Sequence, residues 1–125
     1  MARILVVDDN PHNAKLARVV LSGAGHEVLT AADAEEAQAL VRSATPQLIL
    51  MDLQLPGMDG LELTRRLKSD PATAAIPVLA LTANAMRGDD ERARAAGCEA
   101  YITKPIDTRR LPEQVAAHLP AGGTP

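Results

Sequence analysis

The chain has 125 residues, the length of one ordinary globular domain, and 46% of them are hydrophobic. Its net charge is −3, it has no strongly basic stretch, and no apolar run approaches the roughly 20 residues that span a bilayer. These features argue against nucleic acid and membranes as partners and predict a cytoplasmic protein. Tyr101 is the single aromatic residue, which argues against ligands held by ring stacking, such as flavins.

Apolar runs alternate with helical patterns along the whole chain. Asn10 is typical of a helix N-cap and Pro11 of a first helical position, and Asp33 and Glu36 have the spacing of a capping box. The predicted strands are residues 4–7, 26–30, 47–51, 78–81 and 100–103. Four helices are predicted over residues 11–21, 60–68, 85–96 and 107–119. A further helix, between the first two of these, is capped by Asp33 and ends at residue 43.

This alternation predicts an α/β fold, in which a parallel sheet carries helices on both faces. Strands that are buried on both faces should be continuous apolar runs, and the segments ILVV, LILM and VLAL fit that pattern. The one cysteine, Cys98, cannot form an internal disulfide, and its apolar surroundings predict a buried, unreactive thiol.

Polar residues follow directly on the predicted strands. They are Asp8, Asp9, Asp52, Thr82 and Lys104. Because the carboxyl ends of parallel strands share one edge of the sheet, where ligands bind in open α/β folds, we expect these side chains to converge. Three crowded carboxylates repel each other, and a divalent cation relieves that repulsion. Oxygen ligands with room for water favour Mg²⁺, with Mn²⁺ as the alternative ion.

A carboxylate beside such a cation can attack phosphorus and form an aspartyl-phosphate. Charge then develops on the phosphoryl oxygens, and a cation, an ammonium group and a hydroxyl group can each stabilise one of them. Asp52 has the capacity of the nucleophile, while Lys104 and Thr82 have those of the ammonium and the hydroxyl.

Several motifs together resemble the CheY-like receiver domain of two-component response regulators. They are VVDDN at 6–10, LILMDLQLPGMDGLEL at 48–63, VLALTAN at 78–84 and YITKPI at 101–106. The resemblance implies a three-layer, doubly wound (βα)5 fold whose five parallel strands have the order 2-1-3-4-5. It also implies a receiver domain over residues 1–120, with residues 121–125 as a disordered tail.

The resemblance assigns the central roles by position. Asp52 is the expected phosphoacceptor and a ligand of Mg²⁺. Asp9 is expected to bind the ion directly and Asp8 through water, and the backbone carbonyl of Gln54 is the remaining protein ligand. The side chain of Gln54 also lies where members of this family tune dephosphorylation.

The remaining roles follow in the same way. Thr82 is the expected switch hydroxyl, Tyr101 the switch aromatic residue, and Lys104 the contact to the phosphoryl group. Pro105 matches the family's cis peptide. Asn84 lies at a second position that tunes dephosphorylation.

The segment from residue 81 to 106 is similar to DivK-type single-domain regulators and to receivers attached to hybrid histidine kinases, and we expect a stand-alone protein of the first type. The expected partners are a histidine kinase or a histidine phosphotransfer protein and a downstream protein target, reached through the fourth helix, fifth strand and fifth helix. We expect a monomer that could dimerise on activation. Apart from its own phosphorylation and dephosphorylation, no enzymatic activity is expected.

Three alternatives use related features. The chain could be a receiver domain from a hybrid kinase or multidomain regulator, whose sequence would look almost the same. A phosphatase of the haloacid dehalogenase type also uses an aspartate nucleophile, but it needs a second aspartate where this chain has Gln54. A flavodoxin-like carrier would need aromatic rings to hold its flavin.

Overall fold

The computed structural model describes residues 2–53, 60–82, 89–103 and 106–119. Within these ranges, strands and helices alternate as predicted. The strands are β1 (Arg3–Val7), β2 (Glu27–Ala31), β3 (Leu48–Asp52), β4 (Val78–Thr82) and β5 (Ala100–Thr103). The helices are α1 (Pro11–Gly23), α2 (Ala34–Ala44), α3 (Gly60–Ser69), α4 (Asp89–Ala96) and α5 (Leu111–His118). The predicted tail, residues 121–125, lies outside the described residues.

The strands form one parallel sheet in the order β2-β1-β3-β4-β5, which confirms the predicted topology. Every residue of β3 and β4 is buried, because helices cover both faces of the sheet, and each strand is an apolar run up to its last residue, Asp52 or Thr82. Val7 pairs with Met51, and Asp52 pairs with Leu81. This register brings the carboxyl ends of β1, β3 and β4 to the same edge.

The sheet separates two apolar cores, because successive side chains of a strand point to opposite faces. On one face, Ile4 and Val6 of β1 pack with Leu21 of α1 and with Leu111 and Val115 of α5. The opposite core contains Leu5 and Val7 of β1 and apolar residues of α2, α3 and α4. The fold is thus the three-layer arrangement that the alternation of strands and helices predicts.

Helix α1 begins at the predicted signals, and it ends at Gly23, two residues beyond the predicted end. The side chain of Asn10 accepts hydrogen bonds from the backbone N–H groups of His12 (2.9 Å) and Asn13 (3.3 Å). At the other end, Gly25 has a φ of 95°, and the N–H of His26 donates to the carbonyl of Leu21 over 3.1 Å. This left-handed termination favours glycine, because other residues meet a steric penalty there.

Helix α2 begins with the predicted capping pair. The Asp33 carboxylate accepts a hydrogen bond from the backbone N–H of Glu36 over 2.8 Å, which satisfies a helical N–H group that has no partner within the helix. The Glu36 carboxylate accepts in return from the backbone N–H of Ala32, also over 2.8 Å. The reciprocal bond therefore reaches one residue further back than in the usual capping box.

The predicted start of α5 is wrong. The helix begins at Leu111 rather than at residue 107, and it follows a turn in which the N–H groups of Arg110 and Leu111 donate to the carbonyl of Asp107 (3.1 and 3.0 Å). Pro112 has no N–H group and cannot make the next bond of this series, so a continuous helix cannot extend back to residue 107.

Strands β1, β2, β3 and β4 also differ from the predicted bounds by one residue at one or both ends. Asp52 and Thr82 are the last residues of β3 and β4, whereas the apolar pattern places them just beyond the strands. The hydrogen bonds of a sheet continue through a polar residue, while a hydropathy pattern stops at it. Residues 85–88 of the predicted fourth helix lie outside the described residues, and α4 begins at Asp89.

His26 makes stability depend on pH. Its Nδ1 accepts a hydrogen bond from the backbone N–H of Ala2 over 3.2 Å, and partial burial lowers the pKa of its ring below the usual 6.5. As the pH falls through 6.5, the unfolded chain therefore takes up a proton at His26 that the folded chain does not. The contribution of His26 to the free energy of unfolding is therefore fully present above this pH and is lost as the pH falls below it.

We expect the free energy of unfolding to fall more for the unmodified protein than for His26→Gln between about pH 7.5 and about pH 5.5, on either side of the usual histidine value. Urea unfolding curves at the two pH values measure the difference, and the other titrating groups are common to both proteins. Equal falls in the two proteins would show that His26 does not contribute.

Candidate functional site

Three carboxylates meet at the carboxyl edge of the sheet. One ligand oxygen each of Asp8, Asp9 and Asp52 lies within 4.8 Å of the other two. Asp8 and Asp52 are only 2% and 3% exposed, whereas Asp9 is exposed. The predicted convergence of these residues is therefore observed, and the cluster has two buried carboxylates with one that faces solvent.

The neighbouring strands β1 and β3 and the start of α1 position this cluster. The backbone N–H of Asp8 donates to the carbonyl of Ala31 over 2.9 Å, which continues the pairing of β1 with β2 by one residue. The Asp8 carboxylate accepts a hydrogen bond from the backbone N–H of Asn10 over 2.9 Å. Because Asn10 caps α1, the first aspartate of the cluster also fixes the place where that helix begins.

Gly60, the first residue of α3, packs against the backbone of Asp52 at the end of β3. Its N–H donates to the carbonyl of Leu53 over 3.2 Å, and an added Cβ would lie 2.2 Å from the carbonyl oxygen of Asp52. That separation is far below van der Waals contact, so only glycine fits against this strand end. Gly60 belongs to the motif at 48–63, but the sequence does not reveal this contact. Its only signal is a glycine at the start of a helix, where other residues have a higher helix propensity.

Thr64 extends this contact into the core. It is fully buried, and its hydroxyl donates to the carbonyl of Gly60 over 2.7 Å. The thiol of Cys98 lies 4.0 Å from the same hydroxyl. A buried polar path therefore leads from the turn after α4 to the glycine behind Asp52. The sequence does not reveal the role of Thr64, because a threonine one turn into a helix carries no distinguishing pattern.

Cys98 is buried, as predicted. It is 6% exposed, and burial raises the pKa of its thiol to about 11, although the hydrogen bond with Thr64 opposes the shift. The thiolate is the reactive form, so the protonated thiol is a weak nucleophile at neutral pH. Cys98 therefore has a packing role and lies outside the acidic cluster.

Thr82 and Tyr101 lie on the strands next to β3. Thr82 ends β4 and is buried at the same edge as Asp52, and it pairs with Thr103 of β5. Tyr101 is partly buried in β5 and packs against the core beneath α2, α3 and α4. The hydroxyl of Thr82 and the ring of Tyr101 thus lie on adjacent strands, β4 next to the central strand β3 and β5 at the side of the sheet.

The remaining predicted site residues lie outside the part of the chain that the structure describes. They are Gln54, Asn84, Lys104 and Pro105. Their roles stay predictions.

The acidic cluster fits a hard divalent cation. Its donors are all oxygen atoms, two of the carboxylates are buried, and the exposed Asp9 leaves a side open for water. Mutual repulsion of three carboxylates at this separation favours a cation between them. Few protein ligands and access for water suit Mg²⁺ better than ions that need thiolate or imidazole ligands.

None of the helices in the described ranges combines the length and the apolar character that crossing a membrane requires.

Comparisons with known proteins agree with the fold. The family model for the response regulator receiver domain matches residues 4–116. The polar-differentiation response regulator DivK of Brucella anthropi is 47% identical over 116 residues, which cover 93% of this chain and 94% of that protein. DivK of Brucella ovis is also 47% identical over the same shares of the two chains.

Solved structures give the same result. A chemotaxis response regulator of Vibrio cholerae has a TM-score of 0.88 and 29% identity, covering 94% of this chain and 98% of that one. The receiver domain of a sensor histidine kinase from Pseudomonas aeruginosa, which holds a magnesium ion in its active-site cleft, has a TM-score of 0.85 and 34% identity over 93% and 95% of the two chains. With a fold, an acidic cluster and a family model that agree, this chain belongs to the response regulator receiver domains, the phosphorylation-dependent switches of two-component signalling.

Proposed function

We propose that Asp52 is the phosphoacceptor of this receiver domain. A carboxylate oxygen of Asp52 attacks the phosphorus of a phosphohistidine whose other ring nitrogen is protonated. A new O–P bond forms and the P–N bond breaks with its electron pair going to nitrogen, so that the donor leaves as neutral imidazole. The proposal rests on the acidic cluster. Asp52 ends the central strand β3, and one of its carboxylate oxygens lies within 4.8 Å of a carboxylate oxygen of Asp8 and of one of Asp9.

The same cluster is the proposed magnesium site. Asp9 and Asp52 would bind the ion directly with the backbone carbonyl of Gln54, and Asp8 would act through water. When bound, Mg²⁺ supplies positive charge that neutralises the phosphoryl oxygens and the carboxylates around them. Receiver domains generally bind Mg²⁺ at such an acidic pocket, and the donor set here is of that type.

The switch uses the two residues on the strands next to β3. The phosphoryl group attracts the hydroxyl of Thr82, and Tyr101 then rotates into the space that this movement leaves. Lys104, oriented by Pro105, contacts another phosphoryl oxygen. Because the phosphorylated site interacts more favourably with the inward hydroxyl, phosphorylation shifts the population of the domain towards that state.

Partner proteins recognise this change of conformation at the surface of the domain. We propose that a histidine kinase or a histidine phosphotransfer protein supplies the phosphoryl group in the cytoplasm. A downstream protein then recognises the face formed by α4, β5 and α5. Attack of water on the aspartyl-phosphate resets the domain, at a rate that Gln54 and Asn84 tune. The protein catalyses only its own phosphorylation and dephosphorylation.

Acetyl phosphate tests this proposal without a cognate kinase. Incubation with Mg²⁺ should add one phosphoryl group per chain, detected in the mass of the intact protein, and EDTA should prevent it. Addition in the presence of EDTA would contradict a magnesium-dependent site, and no addition with Mg²⁺ would contradict the phosphoacceptor assignment.

A further inference from the structure

Lys68, in the last turn of α3, has every donor of its ammonium group in use. Its Nζ donates to the carbonyls of Ala74 (3.1 Å) and Ile76 (2.7 Å) and to the carboxylate of Glu99 (2.8 Å). An ammonium group has three N–H donors, so this set is complete. The side chain is only 17% exposed, and its bonds are charge-assisted. Lys68 therefore differs from a solvated surface lysine.

The stem of the same side chain covers the end of α4. Gly97 follows the helix with a φ of 111°, its N–H donates to Arg94, and the N–H of Cys98 donates to Ala93. These two bonds form the Schellman termination that favours glycine. An added Cβ at Gly97 would lie 2.6 Å from Cγ of Lys68. The turn at the end of α4 and the aliphatic stem of Lys68 are thus packed directly against each other.

Glu99 extends the connection to the sheet. One oxygen of its carboxylate binds Lys68, and the other accepts a hydrogen bond from the backbone N–H of Val78 over 2.5 Å. The N–H of Glu99 donates in turn to the carbonyl of Val78 over 2.9 Å. The first residue of β4, the turn after α4 and the end of α3 are therefore joined by one ion pair and its hydrogen bonds.

The C-terminal end of α4 also packs on the core. Ala93 and Ala96 are buried, and Arg94 and Ala95 between them are exposed, so one face of the helix packs inward and the other faces solvent. A helix of eight residues is about 12 Å long, so a tilt of about 10° around a fixed C-terminal end moves the other end by about 2 Å. A small rotation can therefore reshape one half of the helix surface and leave the other half in place.

We propose that Lys68 and Glu99 clamp the C-terminal end of α4 and make it the fixed pivot of the switch. This inference rests on the proposed function, in which phosphorylation of Asp52 alters the face of α4, β5 and α5. The clamp confines the movement to the N-terminal half of α4, and the turn formed by residues 97–99 stays in place in both states. A partner that discriminates the two states must then contact the N-terminal half of the helix.

Backbone amide resonances measure this difference between the two ends. Mg²⁺ with beryllium fluoride, which mimics a phosphoryl group on a carboxylate, should shift Glu91 and Arg92 several-fold more than residues 97–99. In Lys68→Met the two groups should shift by comparable amounts, because the clamp is lost. Arg65→Met, which changes an exposed cation of the same helix, should keep the unequal pattern.

Each outcome decides the proposal. Equal shifts at both ends of α4 in the unmodified protein, or an unequal pattern that persists in Lys68→Met, would overturn it. If Lys68→Met does not fold, Glu99→Gln replaces it, because glutamine offers one acceptor where the carboxylate offers two. Loss of the unequal pattern there supports the clamp, and its persistence rejects it. Resonances that do not shift anywhere, including at Asp52 and Thr82, would instead contradict the proposed function.

Discussion

Alanine in place of Gly60 should destabilise the protein by about 3 kcal/mol, because the new Cβ overlaps backbone that cannot move without disturbing the sheet. The overlap is with the carbonyl oxygen of Asp52 and with Cα of Leu53, at 2.2 and 2.9 Å. Relief of the overlap must shift either the end of β3 or the start of α3. Phosphorylation by acetyl phosphate should therefore slow by roughly tenfold or more, since small misplacements of reacting groups have effects of that size.

Gly23→Ala is the matched control for this substitution. Gly23 is the last residue of α1, and an added Cβ there would have no atom within 4 Å. Alanine has the higher helix propensity, so we expect unchanged or slightly higher stability and an unchanged phosphorylation rate. Urea unfolding followed by circular dichroism measures stability. If Gly60→Ala behaved like Gly23→Ala, the contact behind Asp52 would not constrain the site.

Asparagine in place of Asp8 should have opposite effects with and without Mg²⁺. Without the ion, removal of one charge from three close carboxylates should raise the free energy of unfolding by about 1 kcal/mol, a fraction of the repulsion expected for charges at this separation. The amide oxygen of asparagine can still accept the hydrogen bond from Asn10, so the start of α1 is kept.

With Mg²⁺ the order should reverse. A ligand that binds only the folded state stabilises it by about 2.7 kcal/mol at a hundred times its dissociation constant. Asp8→Asn should lose most of this gain, because the affinity for the ion falls with the charge of the cluster. Asp70→Asn, at an exposed aspartate that caps a turn through the N–H of Ala72, should keep it. Unfolding curves with and without Mg²⁺ give the comparison, and an equal gain in both variants would contradict the metal site.

The parallel sheet and the acidic cluster are the parts that the residue pattern predicts well, whereas the strand order was implied by the family resemblance. Continuous apolar strands that end in aspartates mark both the parallel sheet and its functional edge, and the cluster of Asp8, Asp9 and Asp52 is observed where the pattern places it. Helix signals with a direct hydrogen-bonding mechanism are also reliable, as Asn10 and Asp33 show.

The start of α5 shows where local patterns are insufficient. Asp107 looks like a helix N-cap, and it does accept hydrogen bonds from the following turn, but the missing N–H of Pro112 interrupts the series before it becomes a helix. The apolar pattern alone does not show which hydrogen bonds a proline removes, so the element was predicted correctly and its boundary was not.

Contacts between distant segments are the part that no local pattern contains. Gly60 against Asp52 and Lys68 against Gly97 are each set by how closely two backbone elements approach. In sequence, Lys68 belongs to a small basic cluster that indicates a solvated helix face, and Arg65 and Arg66 do lie on such a face. Only the tertiary structure distinguishes the partly buried member of this cluster from the exposed ones.

The central claim is that Asp52 accepts the phosphoryl group, and its most direct measurement is the mass of the intact protein after incubation with acetyl phosphate and Mg²⁺. Asp52→Asn should remain unlabelled, because an amide oxygen is a poor nucleophile towards phosphorus. Asp33→Asn, which removes a carboxylate outside the site and keeps an oxygen to cap α2, should gain one phosphoryl group like the unmodified protein. Full labelling of Asp52→Asn would contradict the assignment.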